Sequence, residues 1–169
     1  QYVAPEDIYT YSIDESFIDV TPYLKMYGKS ARELAKEIIQ SVREIVGTVS
    51  TCGIGTNMYL AKVALDILAK HDPEFIAELN EDTYRETLWD HRPLTDFWRI
   101  GPGTERRLRN HGLTTLRDIT MCNEDLLYKW FGVDAELLID HAWGREPVTI
   151  ADIKNYESKT KSLSSSQVL

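Results

Sequence analysis

Cysteine is scarce in this 169-residue chain. Only Cys52 and Cys122 occur, far apart and in no C-x-x-C pattern. They offer no thiolate metal motif; they read as two buried thiols in a reducing cytosol and leave a single disulfide open. Histidine is equally sparse. His71, His91, His111 and His141 are scattered without ligand spacing, so each reads as a surface or helix-end residue. No apolar run has the length of a membrane span, and no signal peptide is visible. No membrane is therefore expected, and the cytoplasm is the expected compartment. Gln1 is not a natural start, so the chain is expected to be a trimmed fragment. A Ser/His/Asp triad, a phosphate-cradling P-loop pattern and an internal repeat are all missing. A basic excess is missing too: 19 basic against 27 acidic residues leave a net charge of −8. Such a balance argues against a general nucleic-acid binder.

The charge is uneven. Residues 1–96 carry −8, residues 97–147 carry −1 with six arginines among seven basic groups, and residues 148–169 carry +1. Phosphate contacts are therefore expected in the second half. With 43% hydrophobic and 10% aromatic residues the chain can build a core, as one ordinary domain or two small ones.

The run Ile8-Tyr-Thr-Tyr-Ser-Ile-Asp-Glu-Ser-Phe-Ile-Asp-Val20 is rich in β-branched and aromatic residues and reads as extended. Asp14 and Glu15 interrupt it. On one regular strand they would face opposite sides. A hairpin bending just after Ile13 would let both serve one site. Two converging carboxylates make a hard, oxygen-rich site that suits Mg²⁺, an ion able to polarise a phosphate and activate a hydroxyl. The plain alternative is a pair of solvated residues at a hairpin turn.

Thr21-Pro22 closes the extended run, and a loop is expected up to Gly28. Ser30-Ala-Arg-Glu33 matches a capping box, and Leu34, Ile38, Val42 and Ile45 recur at helical spacing, predicting a helix that ends near Gly47. Thr48 to Thr56 follows as a β-branched run closing in glycines. Asn57 predicts the cap of a largely buried helix from Met58 to about Ala69. A short helix is expected near Asp82 to Trp89. Strand, helix, strand, helix in this order suggests helices packed on a sheet.

Beyond Arg92-Pro93 strand-like runs vanish and short helices separated by glycines take over. Predicted helices run from about Glu105 to His111, from a Thr114 cap, and over about 123–131 and 134–143. The four tryptophans, Trp89, Trp98, Trp130 and Trp143, sit among apolar neighbours and read as core anchors. Ile100-Gly-Pro-Gly103 between helices is a helix-hairpin-helix pattern. Glycines admit a phosphate close to the backbone, and a helix start presents N–H groups to it. Pro102 has no N–H, so Gly101, Gly103 and Thr104 are the candidate donors, with Arg106, Arg107 and Arg109 nearby. A tight structural turn is the alternative.

Together, Tyr11-Ser-Ile-Asp-Glu-Ser-Phe-Ile-Asp-Val20, Cys52-Gly-Ile-Gly-Thr-Asn57, Leu60-Ala-Lys-Val-Ala64, Ile100-Gly-Pro-Gly103 and Lys161-Ser-Leu-Ser164 resemble the Y-family translesion DNA polymerases, most nearly the UmuC-like (ImpB/MucB/SamB) bacterial branch. The resemblance implies an α+β fold. A partial ferredoxin-like palm, a sheet backed by helices, would cover residues 1–93. A helix-hairpin-helix thumb would cover 94–149. A linker, 150–169, would lead toward a little-finger domain.

It also implies a lesion-bypass DNA polymerase acting in DNA repair and the SOS response, with two Mg²⁺ ions. Asp14 would bridge both ions, and Glu15 would hold the one that activates the primer hydroxyl. Lys70 would meet the incoming triphosphate, and Lys62 would have a structural role or, at most, one behind the metal ligands. Gly101, Gly103, Thr104, Arg106 and Arg107 would hold DNA. The implied partners are primer–template DNA and an incoming dNTP, with a sliding clamp as a candidate through a missing C-terminal region. The family's first carboxylate strand, its fingers and its little finger have no counterpart here, so this fragment alone is expected to be inactive. The family's Lys-Pro-Asn stands here as Lys70-His71-Asp72-Pro73, and Met58 replaces a lysine. Two alternatives stay open: a non-catalytic helix-hairpin-helix DNA-binding relative, and such a module joined to an unrelated α/β domain.

Overall fold

The computed structural model describes residues 2–157, with an α+β fold. The tail expected as a linker over Ser162–Leu169, and the Lys161–Ser164 block, lie outside the described residues. A hairpin opens the chain. Strands β1 (Ile8–Thr10) and β2 (Ser16–Ile18) pair antiparallel, Ile8 opposite Ile18 and Thr10 opposite Ser16. The bend falls across Ser12–Asp14, where the paired carboxylates predict it.

The segment expected as a loop after Thr21-Pro22 is instead helix α1 (Thr21–Tyr27). Pro22 sits in its first turn, where a missing N–H leaves no bond unmade, and Gly28 ends it at φ 62°. Helix α2 (Ala31–Val46) carries the predicted capping box between Ser30 and Glu33 and stops at Gly47, φ 78°. Strand β3 (Cys52–Gly55) follows, then α3 (Met58–Val63) capped by the Asn57 side chain. Its helical path continues through a wider π turn over Ala64–Leu68 and a 3₁₀ turn over Ala69–His71.

Strand β4 (Ile76–Leu79) has no counterpart in the sequence-based expectation. Four residues are too few for a clear alternation, and three of these are buried. It pairs parallel with β3, Cys52 opposite Ile76. The expected single sheet is thus two separate two-stranded pieces among the described residues.

Helix α4 (Glu81–Leu88) is capped by Asn80. Then come α5 (Pro102–Asn110), α6 (Leu116–Met121), α7 (Glu124–Phe131) and α8 (Asp134–Ala142). Thr115 rather than Thr114 caps α6, because its side chain reaches the Asp118 N–H. The polar stretch read as linker from residue 150 begins with α9 (Ile150–Asn155), capped by Thr149. Lys154 Nζ lies 2.6 Å from the Pro5 carbonyl and 2.9 Å from that of Glu6, which ties α9 to the chain start.

One buried apolar cluster runs through both halves. Tyr59, Leu60 and Val63 of α3 meet Tyr84 and Leu88 of α4, and the cluster continues through Phe97 to Leu108, Leu127 and Ala142. Trp89 is buried within it, and Trp98, Trp130 and Trp143 pack against it, as their apolar settings predict. Both cysteines are free thiols.

Four glycines without positive φ divide into two kinds. A Cβ on Gly53 would sit 2.0 Å from the Ala61 carbonyl oxygen, and one on Gly55 2.2 Å from the Ala61 nitrogen. Helix α3 packs directly on the β3 backbone there. A Cβ on Gly101 or Gly103 would meet nothing within 4 Å. Gly53→Ala and Gly55→Ala should each destabilise the fold by about 1–3 kcal/mol through overpacking, whereas Gly101→Ala and Gly103→Ala should stay within about 1 kcal/mol. Urea denaturation of the four variants checks this; equal losses at all four would contradict it.

Candidate functional site

Three connected places hold most of the candidate residues: the β1–β2 hairpin, the middle of α3, and the segment Phe97–Thr104. The hairpin loop is closed by its own backbone, since the Tyr11 and Ser12 amides both donate to the Glu15 carbonyl, at 2.9 and 3.0 Å. Ser12 Oγ donates to Asp14 Oδ1 at 2.8 Å, and the Asp14 residue is exposed. Ile13, between them, is fully exposed.

Glu15 turns the other way. Its Oε1 lies 2.5 Å from Nζ of Lys62, and Lys62 Nζ also reaches Asp66 Oδ1 at 3.0 Å. Lys62 is only 8% exposed, and its ammonium stands 5.8 Å from the Tyr11 ring centroid. Burial disfavours that charge, but the bonds to Glu15 and Asp66 outweigh it and hold the ammonium above its ordinary pKa. The sequence reading gave Lys62 a structural role or, at most, one behind the metal ligands. The i,i+4 spacing of Lys62 and Asp66 was the available signal for this pair.

The hairpin also leans on aromatic rings. Trp98 donates its indole N–H to the Tyr11 hydroxyl at 3.0 Å, and the Tyr11, Phe17 and Trp98 rings lie 5.7–5.9 Å apart. Trp98 is therefore more than a core anchor. Behind it, the His141 ring stacks on Tyr59 at 3.9 Å, and the Tyr59 and Tyr84 hydroxyls share a 2.8 Å hydrogen bond. His141 stands at a helix end, in the last turn of α8, as one of the two expected placements has it, but it is buried rather than exposed because Glu146 satisfies it. Nε2 lies 3.0 Å from Glu146 Oε2, and the two side chains are 3% and 5% exposed. An ionised carboxylate only accepts, so Nε2 carries the proton. Burial opposes ionisation of Glu146, yet the His141 bond and the Val148 N–H bond outweigh it and hold its pKa below the ordinary carboxylate range.

Lys70 is exposed in the 3₁₀ turn that ends the α3 path and forms no ion pair among the described residues. Gly101 precedes α5 with φ −83°, and Gly101 and Gly103 are both exposed. The fold itself makes no demand for a glycine at either position. Thr104 lies in the first turn. Arg106 is exposed and forms no ion pair among the described residues. Arg107 donates to the Trp130 carbonyl and lies over the Phe131 ring at 4.5 Å, so it fastens α5 to the end of α7. Arg109 pairs with Glu105 at 3.2 Å. An open cavity of about 380 Å³ adjoins the turn, lined by Asp66 and residues 95–101. Arg99, exposed beside it, holds φ 74° and places its guanidinium 5.0 Å from the Trp98 ring centroid. The sequence reading passed over Arg99, since no motif marks a left-handed arginine.

Asp14 and Glu15 are hard oxygen donors on one loop, which suits a divalent cation. Among the described residues no three His, Cys, Asp or Glu side chains converge. No helix among the described residues is long and apolar enough to cross a membrane.

Comparison with known proteins finds relatives of the chain. Residues 1–66 match the impB/mucB/samB family. The chain is 37% identical over 145 residues to a UvrX protein of Bacillus subtilis (strain 168), covering 85% of the chain and 33% of that protein. It is 30% identical over 135 residues to a DNA polymerase IV of Desulfatibacillum aliphaticivorans, covering 80% of the chain and 33% of the relative. Among solved structures it is similar to DinB from Sulfolobus solfataricus, with TM-score 0.63 and 29% identity over 90% of this chain and 41% of that one. An insertion ternary complex of Dbh DNA polymerase superposes with TM-score 0.64 and 31% identity, over 81% of this chain and 40% of that one. The chain thus spans about a third of the length of these two curated relatives.

The Glu146 environment has a measurable consequence. Its folded pKa lies below its unfolded value, so its stabilising effect is full above the unfolded carboxyl value near pH 4 and is lost as pH falls through the folded pKa. Glu146→Gln should lower stability at neutral pH by about 1–3 kcal/mol and flatten the acid side of the stability–pH profile. Denaturation midpoints from pH 7 down to 3 test this. A variant whose profile runs parallel to that of the wild type would show that Glu146 does not titrate differently on folding.

Proposed function

We propose that this chain, whose residues 1–66 match the impB/mucB/samB family, forms the palm remainder and thumb of a Y-family lesion-bypass DNA polymerase. The longer protein carries the activity: addition of a nucleotide from a dNTP to a primer on template DNA, in DNA repair. The observation that supports this most is the carboxylate hairpin, docked on α3 through Lys62 and, through Trp98, on the segment that leads into the open Gly101–Thr104 turn. Residues 1–93 serve as the palm portion, 94–149 as the thumb, and 150–169 lead onward, starting with α9.

Asp14 and Glu15 would hold the divalent cations, Mg²⁺ in the cell. When bound, such ions polarise a phosphate and lower the pKa of an attacking hydroxyl. What the chain itself does is position and neutralise. The closed hairpin fixes both carboxylates, and the exposed Asp14 stands ready to coordinate. Lys70 reaches into solvent from the end of the α3 path, where it would meet the triphosphate.

The Gly101, Gly103 and Thr104 amides at the start of α5 would take a DNA phosphate. That contact positions the duplex without reading its sequence. Arg106 adds charge there, while Arg107 works within the fold.

In the longer protein, Asp14→Ala should abolish primer extension, a loss of at least about a thousandfold, since a metal Lewis acid supplies several kcal/mol to the transition state. Primer-extension rates with Mg²⁺ test this; extension at the wild-type rate would remove Asp14 from the site. Wild-type protein that binds primer–template and never extends it would favour a non-catalytic DNA-binding relative.

The two arginines should separate. Arg106→Ala should make the dependence of log K on log salt shallower by about 0.9 for a duplex, the contribution of one phosphate contact. Arg107→Ala should chiefly lower stability. Fluorescence anisotropy across a salt series decides: an unchanged slope for Arg106→Ala contradicts its phosphate role.

A further inference from the structure

Lysine is seldom buried without compensating charge, because its ammonium loses hydration that only carboxylates restore. Lys62 is such a case. Its ammonium is built into α3 against Asp66, one turn on, and is aimed at Glu15 on a different element. Glu15 and Asp66 each keep some exposure, with side chains 25% and 30% accessible, so solvent reaches the carboxylates while the cation between them is covered. Among the described residues Glu15 has no other ion-pair partner. Asp14, its neighbour, has none at all and bonds only the Ser12 hydroxyl. One of the two hairpin carboxylates thus already has a resident cation, and the other has none.

A divalent cation at the hairpin would share Glu15 with the ammonium. Two cations on one carboxylate repel each other, and a half-buried location screens that repulsion poorly. Asp66, in the π turn that continues α3, gives the ammonium a second place to rest, at 3.0 Å.

We propose that Lys62 is a positioning residue that holds Glu15 as a built-in stand-in cation and sets the divalent affinity of the hairpin, with Asp66 as the partner that retains Lys62 when a metal ion takes Glu15. This rests on Asp14 and Glu15 being cation ligands. It assigns Lys62 a role in metal affinity that a purely structural ion pair would not give. Metal loading gives up the ion pair between α3 and the hairpin, and the ammonium, retained by Asp66, stays beside the site as a positive charge.

The test reads binding rather than turnover. Mn²⁺ binding to the chain is followed by electron paramagnetic resonance, with Asp14→Ala as the control that identifies the hairpin site. Lys62→Met, which keeps length and removes charge, should tighten Mn²⁺ binding about tenfold, the scale of one removed like-charge interaction of a divalent ion near the surface. A second measurement uses the unaltered chain with ¹⁵N-labelled lysine. Addition of Mg²⁺ should shift the Lys62 ammonium resonance saturably, and Asp14→Ala should abolish that shift.

If Lys62→Met does not fold, the ammonium resonance decides alone. Mn²⁺ binding at the hairpin with unchanged affinity in Lys62→Met, or with a Lys62 resonance that ignores Mg²⁺, overturns the stand-in role and leaves the metal site standing. Equal Mn²⁺ binding by wild type and Asp14→Ala removes the metal site itself, and the stand-in role with it.

Discussion

Two strands of three residues cannot hold a hairpin in water by themselves. The carboxylates of this protein stand on such a hairpin, so everything they do depends on what fastens it. Two contacts fasten it from different elements: the buried ammonium of Lys62 on Glu15, and the Trp98 indole N–H on the Tyr11 hydroxyl. The first ties the hairpin to α3, the second to the segment that leads into α5. The aromatic stack of Trp98, His141 and Tyr59 continues inward from there to the buried tyrosine pair. The hairpin is thus seated on a rigid wall, which suits a site whose carboxylates must keep their places.

The same wall joins the two kinds of structure in the chain. The β-containing part and the helical part share one apolar cluster. His141 and Glu146, buried together near the end of α8, add a polar pair whose carboxylate depends on being ionised. The surface of α5 and its preceding turn is arranged differently. Gly101 and Gly103 face open space, and of the nearby arginines Arg107 is committed to α7 while Arg106 is not. A surface that leaves glycines and a cation without internal work is suited to receive something from outside.

Much of this was legible in the residues. The Ser30–Glu33 capping box and Gly47 bounded α2, Asn57 began α3, and the Asp14-Glu15 interruption forecast the bend of the hairpin. What stayed hidden has physical reasons. Pro22 reads as a breaker, although a helix's first turn tolerates it. β4 is too short for its alternation to show and exists because β3 offers it an edge. The partners of Lys62, Trp98 and His141 lie between elements, and no local pattern encodes a contact from residue 62 to 15 or from 98 to 11. The two glycine sets look alike in sequence; only packing separates those pressed by α3 from those facing space.

The most direct test of how the carboxylates are held is amide hydrogen exchange of Tyr11 and Ser12, whose N–H groups close the hairpin on the Glu15 carbonyl. Trp98→Phe keeps a ring and removes the bond to Tyr11. If that contact seats the hairpin, both amides should exchange about three- to tenfold faster, the value of one hydrogen bond, while amides inside α2 keep their wild-type rates. Unchanged exchange at Tyr11 and Ser12, or an equal acceleration in α2, would contradict the account.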